Sequence, residues 1–311
     1  MIEIDAITKI YNGAAAVDDV SLTVETGEIT AIVGTSGSGK TTLMRMINRL
    51  VEPTSGTIRI DGRDNRDLPA YELRRGIGYA IQGHGLFPHR TVAENIATVP
   101  KLLGWDRKRI DMRVDELLAL FHLEPGQYRH RMPHELSGGQ QQRIGVARAL
   151  AAGPSVLLMD EPFGALDPII RRSAQEDLLA IQRDLSTTVV LVTHDMDEAI
   201  LLGSKIAVMS EGRLLQYARP AEIIARPATD FVGELLGSGE RAFRLMSLET
   251  IGPFVEQGEA AGNAVDVSTS LKDALAEMLW SGRDALPVRR DGALIGRVSR
   301  AAVIANAAGP Q

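Results

Sequence analysis

The sequence predicts an α/β chain: a parallel sheet covered by helices, an antiparallel β portion at its start, a helical lobe inserted into it, and a small α/β module at its end. Three observations carry this prediction. The runs "EITAIV", "SVLLMD" and "TTVVLVTH" have strand length and are apolar on both faces, which suits strands inside a parallel sheet. The first of them leads straight into a glycine-rich loop and a helix, "GTSGSGKTTLMRMINRL". The stretch from about 88 to 153, before the second run, is helical in pattern.

In chain order, two alternating segments, "IEIDAITKIY" and "VDDVSLTV", flank an Asn12-Gly13 turn signal and predict a hairpin. The buried strand, glycine loop and helix follow, then strands at "GTIRIDG" and "GIGYAIQ". Helices are expected at "TVAENIATV", "RIDMRVDELLALFHL" and "GGQQQRIGVARALAA". After Pro154 the pattern reverts to strand, helix, strand, over "SVLLMD", "RRSAQEDLLAIQRDL" and "TTVVLVTH". A break near "LLGSGER" places the end of the first domain at 237. The second, 238–311, reads as strand "VDVS", helix "SLKDALAEMLWSG", strand "ALPVRR", an Asp291-Gly292 turn, strand "ALIGRVS" and a last helix.

Composition narrows the function classes. The 311 residues are 44% hydrophobic and 24% charged, a soluble globular balance, with net charge −6. That charge argues against a dedicated nucleic-acid binder, which needs clustered Lys and Arg. Without cysteine there is neither a disulfide frame nor a thiolate metal site, as suits a reducing cytosol. The opening "MIEIDAITKIYNG" lacks the pattern of a secretory signal, and no apolar run is long enough to span a bilayer. Work at a membrane would require another polypeptide to do the spanning.

The chemistry begins at "GTSGSGKTT". Gly34, Gly39, Lys40 and Thr41 satisfy G-x-x-x-x-G-K-[ST], and Thr35, Ser36, Gly37, Ser38 and Thr42 complete the loop. Its backbone amides can turn onto anionic oxygens at a helix start, Lys40 can reach the β- and γ-phosphates, and the Thr41 hydroxyl can ligate Mg²⁺. Asp160 ends a buried strand, where a carboxylate can hold Mg²⁺ through water. Glu161 should point elsewhere by strand alternation and could accept a proton from attacking water. His194 follows the next apolar strand and either reaches the γ-phosphate or caps the helix starting at Asp195. Gln82 follows "GIGYAI" and can offer its amide to Mg²⁺ or water; Tyr11 either stacks on adenine or is a hairpin aromatic. Finally, "LSGGQQQR" puts Ser137, Gly138 and Gly139 at a helix start. That makes either a second anion site or a plain N-cap. With a single lysine loop per chain, the second loop would complete the first on another copy. Two chains would then pair isologously, burying two nucleotides with Asp167 near the seam.

Taken together, Tyr11, "GTSGSGKT", Gln82, "LSGGQ", "VLLMDE", "ALD" and His194 resemble, in this order, the ATP-binding subunit of ABC transporters, over roughly residues 1 to 235. The resemblance implies a P-loop NTPase (RecA-like) core with antiparallel β and inserted helical subdomains, ATP and Mg²⁺ as ligands, and an ATP-closed homodimer. It implies catalytic roles for Lys40, Gln82, Glu161 and His194, and metal contacts from Thr41, Gln82 and Asp160. Nucleotide contacts would come from Tyr11, residues 34 to 42, Ser137, Gly138, Gly139, Gln140 and Asp167. The partners implied are a transmembrane permease and, indirectly, a substrate-binding protein, which puts the chain on the cytoplasmic face of the inner membrane. "MINRLVEPTSG" and "GLFPHRTVAENIATVP" look like importers of quaternary amines such as glycine betaine, choline or carnitine. In those importers the segment "GHGLFPHRTVAENI" meets a helix of the membrane subunit. The alternatives are an importer of another small solute such as an amino acid, or a soluble non-transport ABC ATPase.

The tail, roughly 264 to 307, resembles a CBS motif. It departs from that pattern in offering one unit rather than a tandem pair, and in carrying Ala302 where an acidic residue usually binds ribose. Packing against the tail of a second subunit is the expected role.

Overall fold

The computed structural model describes residues 1–81, 85–164, 166–237 and 239–306. It divides the chain into two compact units, Met1–Tyr217 and Ala218–Gln311.

In the first unit, β1 (Ile2–Tyr11) and β2 (Ala14–Val24) pair antiparallel. Asn12 and Gly13 turn between them at φ 48° and 83°, the left-handed pair that a two-residue hairpin requires. Next come β3 (Ile29–Val33), α1 (Lys40–Ile47), β4 (Ser55–Ile60), β5 (Arg63–Asp64), α2 (Ala70–Arg75) and β6 (Ile77–Ala80). The helical lobe follows as α3 (Val92–Ile96), α4 (Thr98–Leu102), α5 (Arg107–Leu120), α6 (Pro125–Tyr128) and α7 (Gly138–Leu150). Then β7 (Val156–Asp160), α8 (Pro168–Leu185), β8 (Thr188–Val192), α9 (Met196–Leu202), β9 (Lys205–Ser210) and β10 (Arg213–Ala218) close the unit.

Among the described residues these strands make two sheets. One has the order β2-β1-β4-β5 and is antiparallel; the other has the order β10-β9-β3-β8-β7-β6. In the second, β6, β7, β8, β3 and β9 run parallel. The helical lobe is an excursion between the neighbouring parallel strands β6 and β7.

Strand alternation explains why the central strands of the large sheet are apolar on both faces. Leu157, Met159, Val189 and Leu191 face a core shared with helical-lobe residues such as Ile96, Leu117 and Ile144. Val156, Leu158, Val190 and Val192 face the opposite core, filled by Ile4, Val20, Leu43 and Met46 from the antiparallel sheet and α1. With every residue of β3, β7 and β8 buried, continuous apolar runs are what this position demands. Each such side chain contributes about 1.5–3 kcal/mol by burial. Parallel order aims the C-terminal ends of β3, β7 and β8 at one edge of the sheet, where polar residues take over.

In the second unit, α10 (Pro220–Ala225), α11 (Asp230–Leu236) and α12 (Arg241–Leu248) precede β11 (Val265–Asp266), α13 (Leu271–Ser281), β12 (Ala285–Arg290), β13 (Ala293–Ser299) and α14 (Arg300–Asn306). The sheet order is β11-β12-β13, parallel then antiparallel, over a core of Leu271, Met278, Leu286, Val288, Val298 and Val303. The unit begins at Ala218 rather than at the break expected at 237/238. The guanidinium of Arg241 donates to the carbonyls of Ile224 and Ala225 at 2.7–3.1 Å, which ties α12 back to α10 across the glycine-bearing break.

Candidate functional site

The loop after β3 is shaped by close approach. A Cβ on Gly34 would stand 2.1 Å from the Met209 carbonyl oxygen, and one on Gly39 2.3 Å from that of Ala16. With φ of 153° and 95°, neither position accepts a side chain without moving backbone. The loop therefore presents its amides at the start of α1. Lys40, 6% exposed, folds back over it and donates to the carbonyls of Gly34 and Thr35 at 2.8 Å and to Ser38 Oγ at 3.3 Å. Burial lowers the pKa of its ammonium, while Glu161 and Asp160 oppose that shift. A cation held this way needs only to exchange carbonyl oxygens for phosphate oxygens.

Asp160 ends β7 and is 5% exposed; its Oδ1 accepts from Thr41 Oγ1 at 3.1 Å. Burial raises its carboxyl above the ordinary range, against the Thr41 hydrogen bond. A hydroxyl and a carboxylate converging beside a phosphate-binding loop are hard oxygen donors, and they fit Mg²⁺ with the remaining positions left to phosphate and water.

Glu161 lies beyond the end of β7, and its φ of 45° re-aims it. Backbone conformation thus adds to the strand alternation expected from sequence in separating it from Asp160. Its Oε1 stands 3.4 Å from His194 Nδ1, and its amide donates to the Val192 carbonyl at 2.9 Å. The N-cap of α9 is Asp195, whose carboxylate accepts from the amides of Asp197 and Glu198. His194 is therefore not the cap; it is a largely exposed imidazole beside Glu161.

At the other loop, Ser137 caps α7. Its Oγ accepts from the Gln140 amide at 3.3 Å, and Gln140 Oε1 accepts from the Ser137 amide at 3.0 Å. Gly138 and Gly139 open the helix, and Gly139 packs where a Cβ would meet Ile170 Cγ2 at 2.6 Å. Asp167 caps α8, accepting from the amides of Ile169 and Ile170 at 3.1 Å. Tyr11 is half-exposed at the hairpin end, with Lys9 Nζ 4.9 Å from its ring centre. Gln82 lies outside the described residues. The structure thus gathers Lys40, Thr41, Asp160, Glu161 and His194 at one sheet edge, and it gives Ser137 and Asp167 local roles as caps. Sequence reasoning missed Thr193, Arg171 and Glu198, which line a small cavity together with His194. The Asp195-x-x-Glu198 spacing at a helix start was the available signal.

Comparison with known proteins assigns this arrangement to a family. The model of the ABC transporter family matches residues 17–164. The glycine betaine uptake system ATP-binding protein YehX of Escherichia coli is 51% identical over 289 residues, covering 93% of this chain and 94% of that protein. The chain belongs to the ABC transporter family of ATP-binding proteins. Another family member, the glycine betaine/carnitine/choline transport ATP-binding protein OpuCA of Bacillus subtilis, is 47% identical over 91% of this chain and 73% of its own length. The dimeric structure of a bacterial ABC transporter cassette superposes with a TM-score of 0.64 and 34% identity, over 71% of this chain and 99% of that one. As an ABC-family cassette, the chain has the P-loop NTPase core and inserted helical lobe that its motifs lead one to expect. No helix among the described residues is long and apolar enough to cross a membrane.

Proposed function

We propose that this protein is the ATP-hydrolysing subunit that energises uptake of a quaternary ammonium osmoprotectant, of the glycine betaine, choline or carnitine type, through a separate permease. The observation that carries the reading is the 51% identity with a glycine betaine uptake ATP-binding protein, which runs through both units rather than the cassette alone. The chain works as a pair on the cytoplasmic face of the membrane. Each triphosphate lies between the Lys40 loop of one chain and the Ser137 loop of the other, near Asp167. The dimeric cassette structure and the Gly138 and Gly139 amides at the start of α7 support this arrangement.

Residues of the chain then take these roles. Residues 34 to 42 hold the phosphates, with Lys40 leaving its loop carbonyls for the β- and γ-oxygens. Thr41 and Asp160, with Gln82, hold Mg²⁺, which supplies charge neutralisation across the phosphates. Tyr11 stacks on adenine. Glu161 takes the proton of the attacking water, and His194, 3.4 Å away, orients that water and the γ-phosphoryl group. The second unit, whose strand and helix order resembles a CBS motif, packs against the tail of the second subunit. The test is glycine betaine uptake in cells supplying the permease and binding protein, with this chain or its Glu161→Gln variant. Uptake should require the parent chain; equal uptake with both would reject the reading.

A further inference from the structure

Behind the paired Glu161 and His194 runs a side-chain network that none of these roles uses. Glu198, in the first turn of α9, is 6% exposed, and its Oε2 accepts from the Thr193 hydroxyl. The same hydroxyl accepts from the Asp195 amide at 3.0 Å, so the residues on both sides of His194 are held. Asp195 Oδ2 meets Arg171 Nη1 at 3.6 Å, and Arg171 Nη2 donates to the Leu166 carbonyl at 3.2 Å, next to Asp167. The chain of contacts therefore runs from the start of α8, through Arg171 and Asp195, to Thr193 and Glu198.

Two atoms of this network are unmatched. Glu198 Oε1 and Arg171 Nε are buried with no hydrogen bond of good geometry among the described residues, the buried Gln175 side chain being a further polar group that acts on the Glu198 carboxyl. Both residues line a cavity of about 20 Å³ that is also walled by Glu161, Gly164, Thr193 and His194. That volume admits one water molecule, and a water needs two to four polar partners, which these walls supply. Leaving buried polar atoms unpaired is costly, so an occupied cavity is the stable arrangement. Burial also pushes the Glu198 carboxyl above its ordinary range, against the Thr193 hydroxyl, which suits a group that works by hydrogen bonding rather than by charge.

We propose that Glu198 is a positioning residue for ATP hydrolysis: it holds His194 beside Glu161 through Thr193, and an ordered water in the adjoining cavity joins Glu198 and Arg171 to that pair. The inference rests on the assignment of hydrolysis to Glu161 and His194. Any movement of the Leu166–Asp167 segment would then be felt at His194 through Arg171 and Asp195.

The experiment measures kcat and KM for ATP in Glu198→Ala and Glu198→Gln beside the parent and Glu161→Gln. Alanine removes the acceptor for Thr193, while glutamine keeps an acceptor and the volume. Glu198→Ala is expected to lose about tenfold or more in kcat with KM within about twofold, and Glu198→Gln to recover to within about threefold of the parent. Parent-like kcat in Glu198→Ala, equal impairment in both variants, or a loss confined to KM would overturn the proposal. Should Glu198→Ala fail to fold, Thr193→Val removes the partner hydroxyl at similar volume and must show the same loss in kcat alone; an undiminished kcat there rejects it. Parent-like turnover in Glu161→Gln would remove the underlying assignment instead, so the two failures are distinct.

Discussion

The two glycine-bearing loops of the first unit look alike in sequence, yet the structure builds them differently. The loop at 34–42 follows a fully buried strand, has glycines that neighbouring backbone will not let change, and carries a buried lysine drawn back onto its own carbonyls. The loop at 136–140 opens a helix through a capping box that satisfies Ser137 and Gln140 with each other, and its helix has no acidic residue in the first turn. One loop has a cation and neighbouring carboxylates; the other offers helix amides with the Ser137 hydroxyl and the Gln140 side chain. A site with amides but no lysine or carboxylate can bind an anion without activating water. The difference teaches that the second loop cannot constitute a catalytic centre by itself, and under the proposed pairing its part is to complete one.

Substitutions test that division. Removing the base should have the largest effect: Glu161→Gln should cut turnover about a thousandfold while ATP binding persists, since general bases contribute about 10²–10⁴-fold. Retained hydrolysis in steady-state assays would take the base role from Glu161. Ser137→Arg fills the second loop with a bulky side chain and should cost about a hundredfold or more in turnover, comparable to removing a transition-state donor. Mixed with Lys40→Ala, it should regain activity, because one site of each mixed pair has both an intact Lys40 and an intact Ser137. A mixture no more active than its parents would count against shared sites. Gly39→Ala should lower stability by about 1–3 kcal/mol, read as a fall in unfolding midpoint, because its Cβ would meet the Ala16 carbonyl. An unchanged midpoint would mean the loop is more yielding than its contacts indicate. Tyr11→Ala should be mildest, raising KM for ATP about tenfold with kcat unchanged, as loss of one stacking contact predicts.

Much of this comparison was legible in the sequence because its signals are local. Strand length, the Asn12-Gly13 turn and the motif spacing fix the C-terminal edge where Lys40, Asp160, Glu161 and His194 gather. What was not legible depends on partners distant along the chain. The reach of Arg171 to Asp195 joins the starts of α8 and α9 across 24 positions, which no window of sequence reports, whereas the pairing of Thr193 with Glu198 is local and its spacing was there to be read. The positive φ of Glu161 likewise accompanies a hydrogen bond from its amide to the Val192 carbonyl on the neighbouring strand, a partner distant along the chain. The division at Ala218 and the sequence break near 237 differ because the glycines near 237 interrupt a helical run whose guanidinium anchor, Arg241, binds carbonyls well upstream. Strands β9 and β10 went unassigned although Glu211-Gly212 marks the turn between them.

The most direct test of the shared centre is the structure of the Glu161→Gln chain with ATP and Mg²⁺. The account predicts two chains, with the amides of Ser137 to Gly139 of each against the triphosphate held by Lys40 of the other. A nucleotide-loaded form in which residues 137 to 139 approach no triphosphate would contradict it.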